Sequence, residues 1–165
     1  MSKVVYIVGS LRKDSYNKKL AERMQEVTGG EVICLNNMVF MNEDLEANPP
    51  KVVSDLREKV VAADRVVFVS PEYNYTVPGT LKNAIDWLSR PYGDNKPAIV
   101  GKSAAVCGAS LSFIGTARMQ KDLKGILAML GVKFYPKDLF VSINMETGTW
   151  DEQTDERIVS FAEGL

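Results

Sequence analysis

Val4-Val5-Tyr6-Ile7-Val8-Gly9-Ser10-Leu11-Arg12-Lys13-Asp14-Ser15-Tyr16-Asn17 passes from an unbroken apolar run through a polar turn to a helix start. A β-branched run without polar alternation is the pattern of a strand buried on both faces, which is typical of parallel sheets covered by helices. The helix is marked by Leu20, Met24 and Val27 at helical spacing within Asn17–Val27, and Gly29-Gly30 ends it. One β/α unit is legible here, and the rest of the chain repeats it.

Glu31 to Leu35 reads as a second strand, followed by a long polar connection from Asn36 to Pro50 and a helix from Lys51 to Ala63. Arg65-Val66-Val67-Phe68-Val69 is the third strand, and a helix from Gly79 to Ser89 places Leu81, Ala84, Ile85 and Leu88 on one face. Ser103 to Cys107 forms the core of the fourth strand and Gly115 to Leu130 a helix. Val132 to Val141 is a fifth strand region interrupted at Pro136, and Glu152 to Glu163 closes the chain as a helix. Five β/α units predict a doubly wound α/β domain. Right-handed crossovers favour the flavodoxin-like three-layer sandwich, a five-stranded parallel sheet of order 2-1-3-4-5, as one domain over residues 1–165.

In that order the sheet reverses direction between the first and third strands, and ligands bind outside the carboxyl ends of the strands at such a point. Three polar segments are expected there: residues 9–17, 71–74 and 108–110, the last as a turn after the fourth strand.

Composition narrows the chemistry. At 165 residues, 45% hydrophobic and 25% charged, the chain is an ordinary globular domain with no apolar run long enough to span a membrane. Met1 to Val5 lead straight into the first strand, leaving no room for a signal peptide, so the expected location is cytoplasmic. With 20 basic and 21 acidic residues, no general field attracts nucleic acid or anionic lipid. Cys34 and Cys107 lack metal-ligand spacing and read as reduced, core or near-core thiols. The absence of histidine removes the commonest general base, Ser-His and Cys-His nucleophiles and the usual zinc sites. A bound cofactor is the natural carrier of any redox chemistry.

The first loop has the parts of a phosphate site: backbone N–H groups at a helix start, Arg12, and the side chains of Ser10, Ser15 and Asn17. The same residues equally read as a helix cap at Ser15 beside a solvated Arg12. Gly-x-Gly-x-x-Gly and the P-loop ending are both missing, which points to a mononucleotide phosphate. The second loop, Ser70 to Gly79, is stiffened by Pro71 and Pro78 and offers backbone groups to the edge of a planar heterocycle. Its alternative is a turn with Tyr73 and Tyr75 at a surface or subunit contact. Gly108-Ala109-Ser110 is small enough to let backbone approach a ring.

Gly-Ser-Leu-Arg-x-x-Ser-x-Asn at 9–17, Pro-Glu-Tyr-Asn at 71–74 and Pro-Gly-x-Leu-Lys-Asn-Ala-Ile-Asp-Trp at 78–87 together resemble the NADPH-dependent FMN reductase family, which includes chromate, quinone and azo-dye reductases. The resemblance implies that Ser10, Arg12, Ser15 and Asn17 hold the FMN phosphate, with Tyr16 where many relatives carry Phe. Pro71, Glu72, Tyr73 and Asn74 would contact the flavin ring and ribityl chain, and Gly108 and Ser110 would lie at the ring's other side. It implies hydride transfer from NADPH or NADH to FMN and on to a small-molecule acceptor, with no catalytic side chain and no metal. A homodimer or homotetramer is also implied, with Tyr73, Tyr75 and Trp87 as candidate contact residues. A flavodoxin-type electron carrier and a non-catalytic flavin-binding module are the alternatives on the same fold; the near-neutral charge speaks against a carrier that docks basic partners.

Overall fold

The computed structural model describes residues 2–91 and 96–165. At its centre lies β1 (Val4–Val8), wholly buried because a neighbour pairs with it on each side: β2 (Glu31–Cys34) and β3 (Arg65–Val69), both parallel, with Ile7 level with Ile33 and Phe68. β4 (Ser103–Ser110) pairs with β3, and the sheet runs β2-β1-β3-β4-β5. β5 (Lys133–Phe134) lies beside Ser103 and Ala104, and β6 (Leu139–Ser142) lies beside Cys107 to Ser110. These two short strands fill one sheet position. Pro136 falls between them, where a residue without an N–H group cannot serve a ladder, so the interrupted fifth strand is present.

The fourth strand is longer than its apolar core. Gly108, Ala109 and Ser110, expected as a turn, continue β4 and pair with Phe140, Val141 and Ser142. The small residues imitate a loop in the sequence, but β6 offers a ladder to the end of the strand.

Strand residues alternate between two cores. Val5, Ile7, Val66, Phe68, Ala104 and Val106 pack against α2 (Lys51–Ala62), α3 (Gly79–Leu88) and α4 (Ala117–Met129) through Leu56, Val60, Leu81, Ile85, Leu123 and Leu127. Val4, Tyr6, Val8, Val67, Val69 and Ala105 face α1 (Tyr16–Thr28) and α5 (Glu152–Glu163) through Leu20, Met24, Ile158 and Phe161. Each large aliphatic side chain buried in this way contributes roughly 1.5–3 kcal/mol, which makes the sheet a rigid base for the loops at its carboxyl edge. Arg23 on α1 clasps Asp155 on α5 through two hydrogen bonds, Nε to Oδ1 at 2.9 Å and the terminal nitrogen to Oδ2 at 2.7 Å.

The connection from Asn36 to Pro50 is pinned to α3. The Val39 carbonyl accepts from Asn83 Nδ2 at 3.0 Å and from Trp87 Nε1 at 2.8 Å, while the Met41 N–H donates to Asn83 Oδ1 at 2.7 Å. Trp87 is fully buried, so it does not reach a subunit contact as expected; its indole is consumed inside the protomer. No helix among the described residues is long and apolar enough to cross a membrane.

Candidate cofactor site

The loop after β1 begins with Gly9, whose N–H donates to the Val69 carbonyl at 2.9 Å and prolongs the β1/β3 pairing by one step. Ser10 turns inward and is buried, its Oγ 3.4 Å from the Arg12 N–H. Ser15 is the N-cap of α1, accepting from the N–H groups of Asn17 and Lys18 at 3.2 and 3.4 Å. The N–H groups of Ser10, Leu11, Lys13 and Asp14 have no hydrogen-bond partner among the described residues. Unpaired amides at the positive end of α1 form a cradle for an anion. The Arg12 guanidinium stands 4.8 Å from the centroid of the Tyr16 ring, a cation–π contact that keeps the exposed cation beside that cradle. This donor set fits a dianionic phosphate.

Asn17 is tied to β4 through one of its two side-chain N–H groups and its oxygen. Its Nδ2 donates to the Ala109 carbonyl at 3.0 Å and its Oδ1 accepts from the Ala109 N–H at 2.8 Å, both in the buried interior. The amide that the family pattern assigns to phosphate also fastens the start of α1 to the end of β4.

The second loop closes on itself. Tyr73 and Thr76 exchange backbone hydrogen bonds of 3.2 and 3.1 Å, and the residues between them, Asn74 and Tyr75, have φ of 48° and 67°. Two positive φ values in a two-residue hairpin are the mark of a type I′ turn, which Asn tolerates and an aromatic residue does not favour. Arg118 lies over the Tyr75 ring at 5.1 Å, and Thr76 Oγ1 donates to Asp122 at 2.7 Å, both from α4. Glu72 Oε2 accepts from the N–H groups of Arg118 and Met119 at 3.0 Å each. The Glu72 carboxylate therefore caps α4. What this loop leaves for a planar ligand is backbone: the N–H groups of Glu72 and Asn74 have no partner among the described residues. With the first turn of α4 already holding a carboxylate, the loop ahead of α1 supplies the unpaired N–H groups open to a phosphate.

Gly108 and Ser110 also have contacts of their own within the protein. A Cβ built on Gly108 would overlap the Ser70 carbonyl oxygen and Thr116 Oγ1. Glycine is required there by the packing of β4 against the β3 end and the α4 start. Ser110 Oγ donates to the Gly115 carbonyl at 2.8 Å and accepts from the Ser112 N–H at 3.2 Å, bracing the loop from Leu111 to Gly115. Pro71 accepts at its carbonyl from Ser70 Oγ at 3.0 Å.

Sequence reasoning did not find that Asn17, Glu72 and Ser110 brace the segments at the strand ends. One signal was present for Glu72: the start of α4 has no acidic residue in its first turn, leaving its N–H groups in need of an acceptor from elsewhere. Around the crevice, Leu11, Tyr73, Tyr75, Leu111 and Phe113 are exposed at the carboxyl ends of three strands. The rim is apolar and aromatic. Below it, burial pushes the Cys107 thiol well above its ordinary range, so it stays protonated and is no nucleophile. The arrangement can bind a phosphate, align a flat ring on backbone donors and exclude water from one side; it contains no acid–base pair.

The family model for NADPH-dependent FMN reductases matches residues 2–146. The chain is 36% identical over 134 residues to a 2-hydroxy-1,4-benzoquinone reductase of Burkholderia, covering 79% of this chain and 72% of that protein. It is 44% identical over 117 residues to a quinone reductase of Pseudomonas putida, covering 68% of this chain but only 62% of the relative's length. Among solved structures, FerB, a flavoenzyme NAD(P)H:acceptor oxidoreductase from Paracoccus denitrificans, is similar with a TM-score of 0.86 at 36% identity, covering 99% of this chain and 94% of that one.

Proposed function

We propose, because this chain belongs to the NADPH-dependent FMN reductase family, that it is an FMN-dependent NAD(P)H oxidoreductase which passes reducing equivalents to a quinone or similar small acceptor. The observation that carries this reading is the set of unpaired amides of Ser10, Leu11, Lys13 and Asp14 at the start of α1, beside Arg12 and the backbone of residues 72–74. A phosphate and a flat ring have complementary donors within one crevice. Bound FMN supplies hydride and electron transfer, which a chain without histidine does not perform with its own side chains.

The residues divide the work of holding it. Ser10, Arg12, Ser15 and the loop amides receive the phosphate; Pro71, Glu72, Tyr73 and Asn74 present backbone to the ring edge. Tyr16 keeps Arg12 in place through the ring contact. Tyr73 and Tyr75, exposed at the rim, give an acceptor such as a quinone an aromatic surface and exclude water on its arrival. The same exposed rim suits a contact between copies, as a homodimer or homotetramer built from one FMN-binding domain per chain. Acceptor names on the relatives, benzoquinone above all, support the quinone class.

The test is to purify the protein, record its flavin absorption, and follow NADPH and NADH oxidation with quinone, free FMN and chromate. Flavin-dependent quinone turnover supports the reading. Bound flavin with negligible NAD(P)H oxidation would make the protein an electron carrier, and failure to bind flavin a module of another kind.

A further inference from the structure

We propose that Glu72 is a positioning residue, which holds the ring-facing backbone of residues 72–74 in place by capping α4, and is not a ligand of the flavin. The proposal rests on the FMN reading above. Its basis is geometric. Glu72 Oε2 takes two N–H groups of the first turn of α4, those of Arg118 and Met119, at 3.0 Å each, and Oε1 lies 3.5 Å from the Arg118 guanidinium. The Glu72 side chain is only 11% exposed, so the contact is sheltered from competing water.

The helix does not cap itself. Thr116, at the N-cap position, makes no side-chain cap bond; its hydroxyl accepts from Gln120 Nε2 at 3.1 Å. The acceptor that α4 lacks comes from a residue on the ring-facing loop. Two further ties join the same partners, Thr76 to Asp122 and Arg118 to Tyr75. They flank a turn whose positive φ at Tyr75 an aromatic residue rarely adopts on its own. Such a backbone persists only where its surroundings over-determine it. Glu72 belongs to the same loop as the N–H groups of residues 72 and 74, and it acts on the ring through them.

The test separates the ring from the phosphate. Dissociation constants for FMN and for riboflavin, which shares the ring and lacks the phosphate, are measured by flavin fluorescence for the wild type, Glu72→Gln and Glu72→Ala. Loss of a cap of this kind is expected to weaken both ligands of Glu72→Ala by the same factor, about five- to tenfold. Glu72→Gln keeps an oxygen for the same N–H groups and is expected to stay within about threefold of wild type. If Glu72→Ala binds both flavins as wild type does and only melts earlier, Glu72 is a helix cap alone and the proposal fails. A loss confined to FMN would place Glu72 on the phosphate side and also overturn it. If Glu72→Ala does not fold, Thr76→Val decides: parallel weakening of both flavins supports the clamp, and unchanged affinity refutes it. A wild-type chain that binds neither flavin overturns the FMN reading itself, and the proposal with it.

Discussion

Asn17 and Ala109, on different elements, are joined by a pair of hydrogen bonds: the Asn17 amide gives one to the Ala109 carbonyl and takes one from its N–H, at 3.0 and 2.8 Å. The arrangement imitates the pairing of a further strand and ends β4 against α1 without exposing either peptide group. Asn17→Ala leaves a buried N–H and C=O unpaired, at about 1–3 kcal/mol. For a domain of this size that is a fall in Tm of roughly 3–10 °C, to be read by calorimetry on the FMN-free protein. The ratio of FMN to riboflavin affinity is expected to stay at the wild-type value. A selective loss of FMN would return Asn17 to the phosphate.

Arg12 is the opposite case, exposed and, among the described residues, held at its guanidinium by the Tyr16 ring. Arg12→Ala is expected to leave stability within about 0.5 kcal/mol of wild type. A charge-assisted bond to phosphate contributes about 1.5–3 kcal/mol, so FMN affinity is expected to fall roughly ten- to a hundredfold while riboflavin affinity holds. Fluorescence titration at two salt concentrations checks this, because the wild-type advantage for FMN shrinks as salt screens the pair. Equal FMN binding by variant and wild type would remove Arg12 from the site.

Two glycines at neighbouring strand ends respond differently to a methyl group. At Gly108 the added carbon meets the Ser70 carbonyl and Thr116, both immobile in the core; at Gly9 the nearest atom is the Ser70 hydroxyl, which can rotate. Overpacking typically costs about 1–3 kcal/mol. Gly108→Ala is expected at or above the upper end and Gly9→Ala toward the lower, measured by urea unfolding. Equal effects would show that the hydroxyl is as fixed as the carbonyl.

These residues also show how much of the molecule its sequence disclosed. Val4–Val8 and Arg65–Val69 were bounded to the residue because unbroken β-branched runs have no competing helical pattern. Pro136 announced the break in the fifth strand. Gly108 to Ser110 misled, because small residues signal a turn locally while their strand character comes from β6. The crevice was legible from where polar segments follow strands. The use of each side chain within it was not: Glu72 and Asn17 meet partners across the sheet, and no local pattern records a contact 46 or 92 residues away. Polar residues gathered at a site were read as ligand contacts, whereas several first satisfy the protein's own backbone.

Acid is expected to loosen α5 first. The Arg23 guanidinium, through its two hydrogen bonds, holds the Asp155 carboxyl below the usual carboxylate range, with Trp150 Nε1 assisting and partial burial opposing. Asp151, the N-cap of α5, is lowered chiefly by the Thr154 side chain and next by its bond from the Thr154 N–H. A carboxylate with a depressed folded-state pKa binds protons more readily once unfolded. Its stabilisation is therefore complete above the unfolded value of about 3.9 and disappears as pH falls from there through the lower folded value. Asp155 and Arg23 are each about a third exposed, so screening limits the pair to about 0.5–1 kcal/mol. Asp155→Asn is expected to lose that amount at pH 7 and to show a shallower decline between pH 4 and 2 than wild type. Urea midpoints across that range measure the decline, and hydrogen exchange should open the amides of Glu152–Glu163 before those of β1. Identical acid limbs in variant and wild type would show that other carboxylates govern unfolding at low pH.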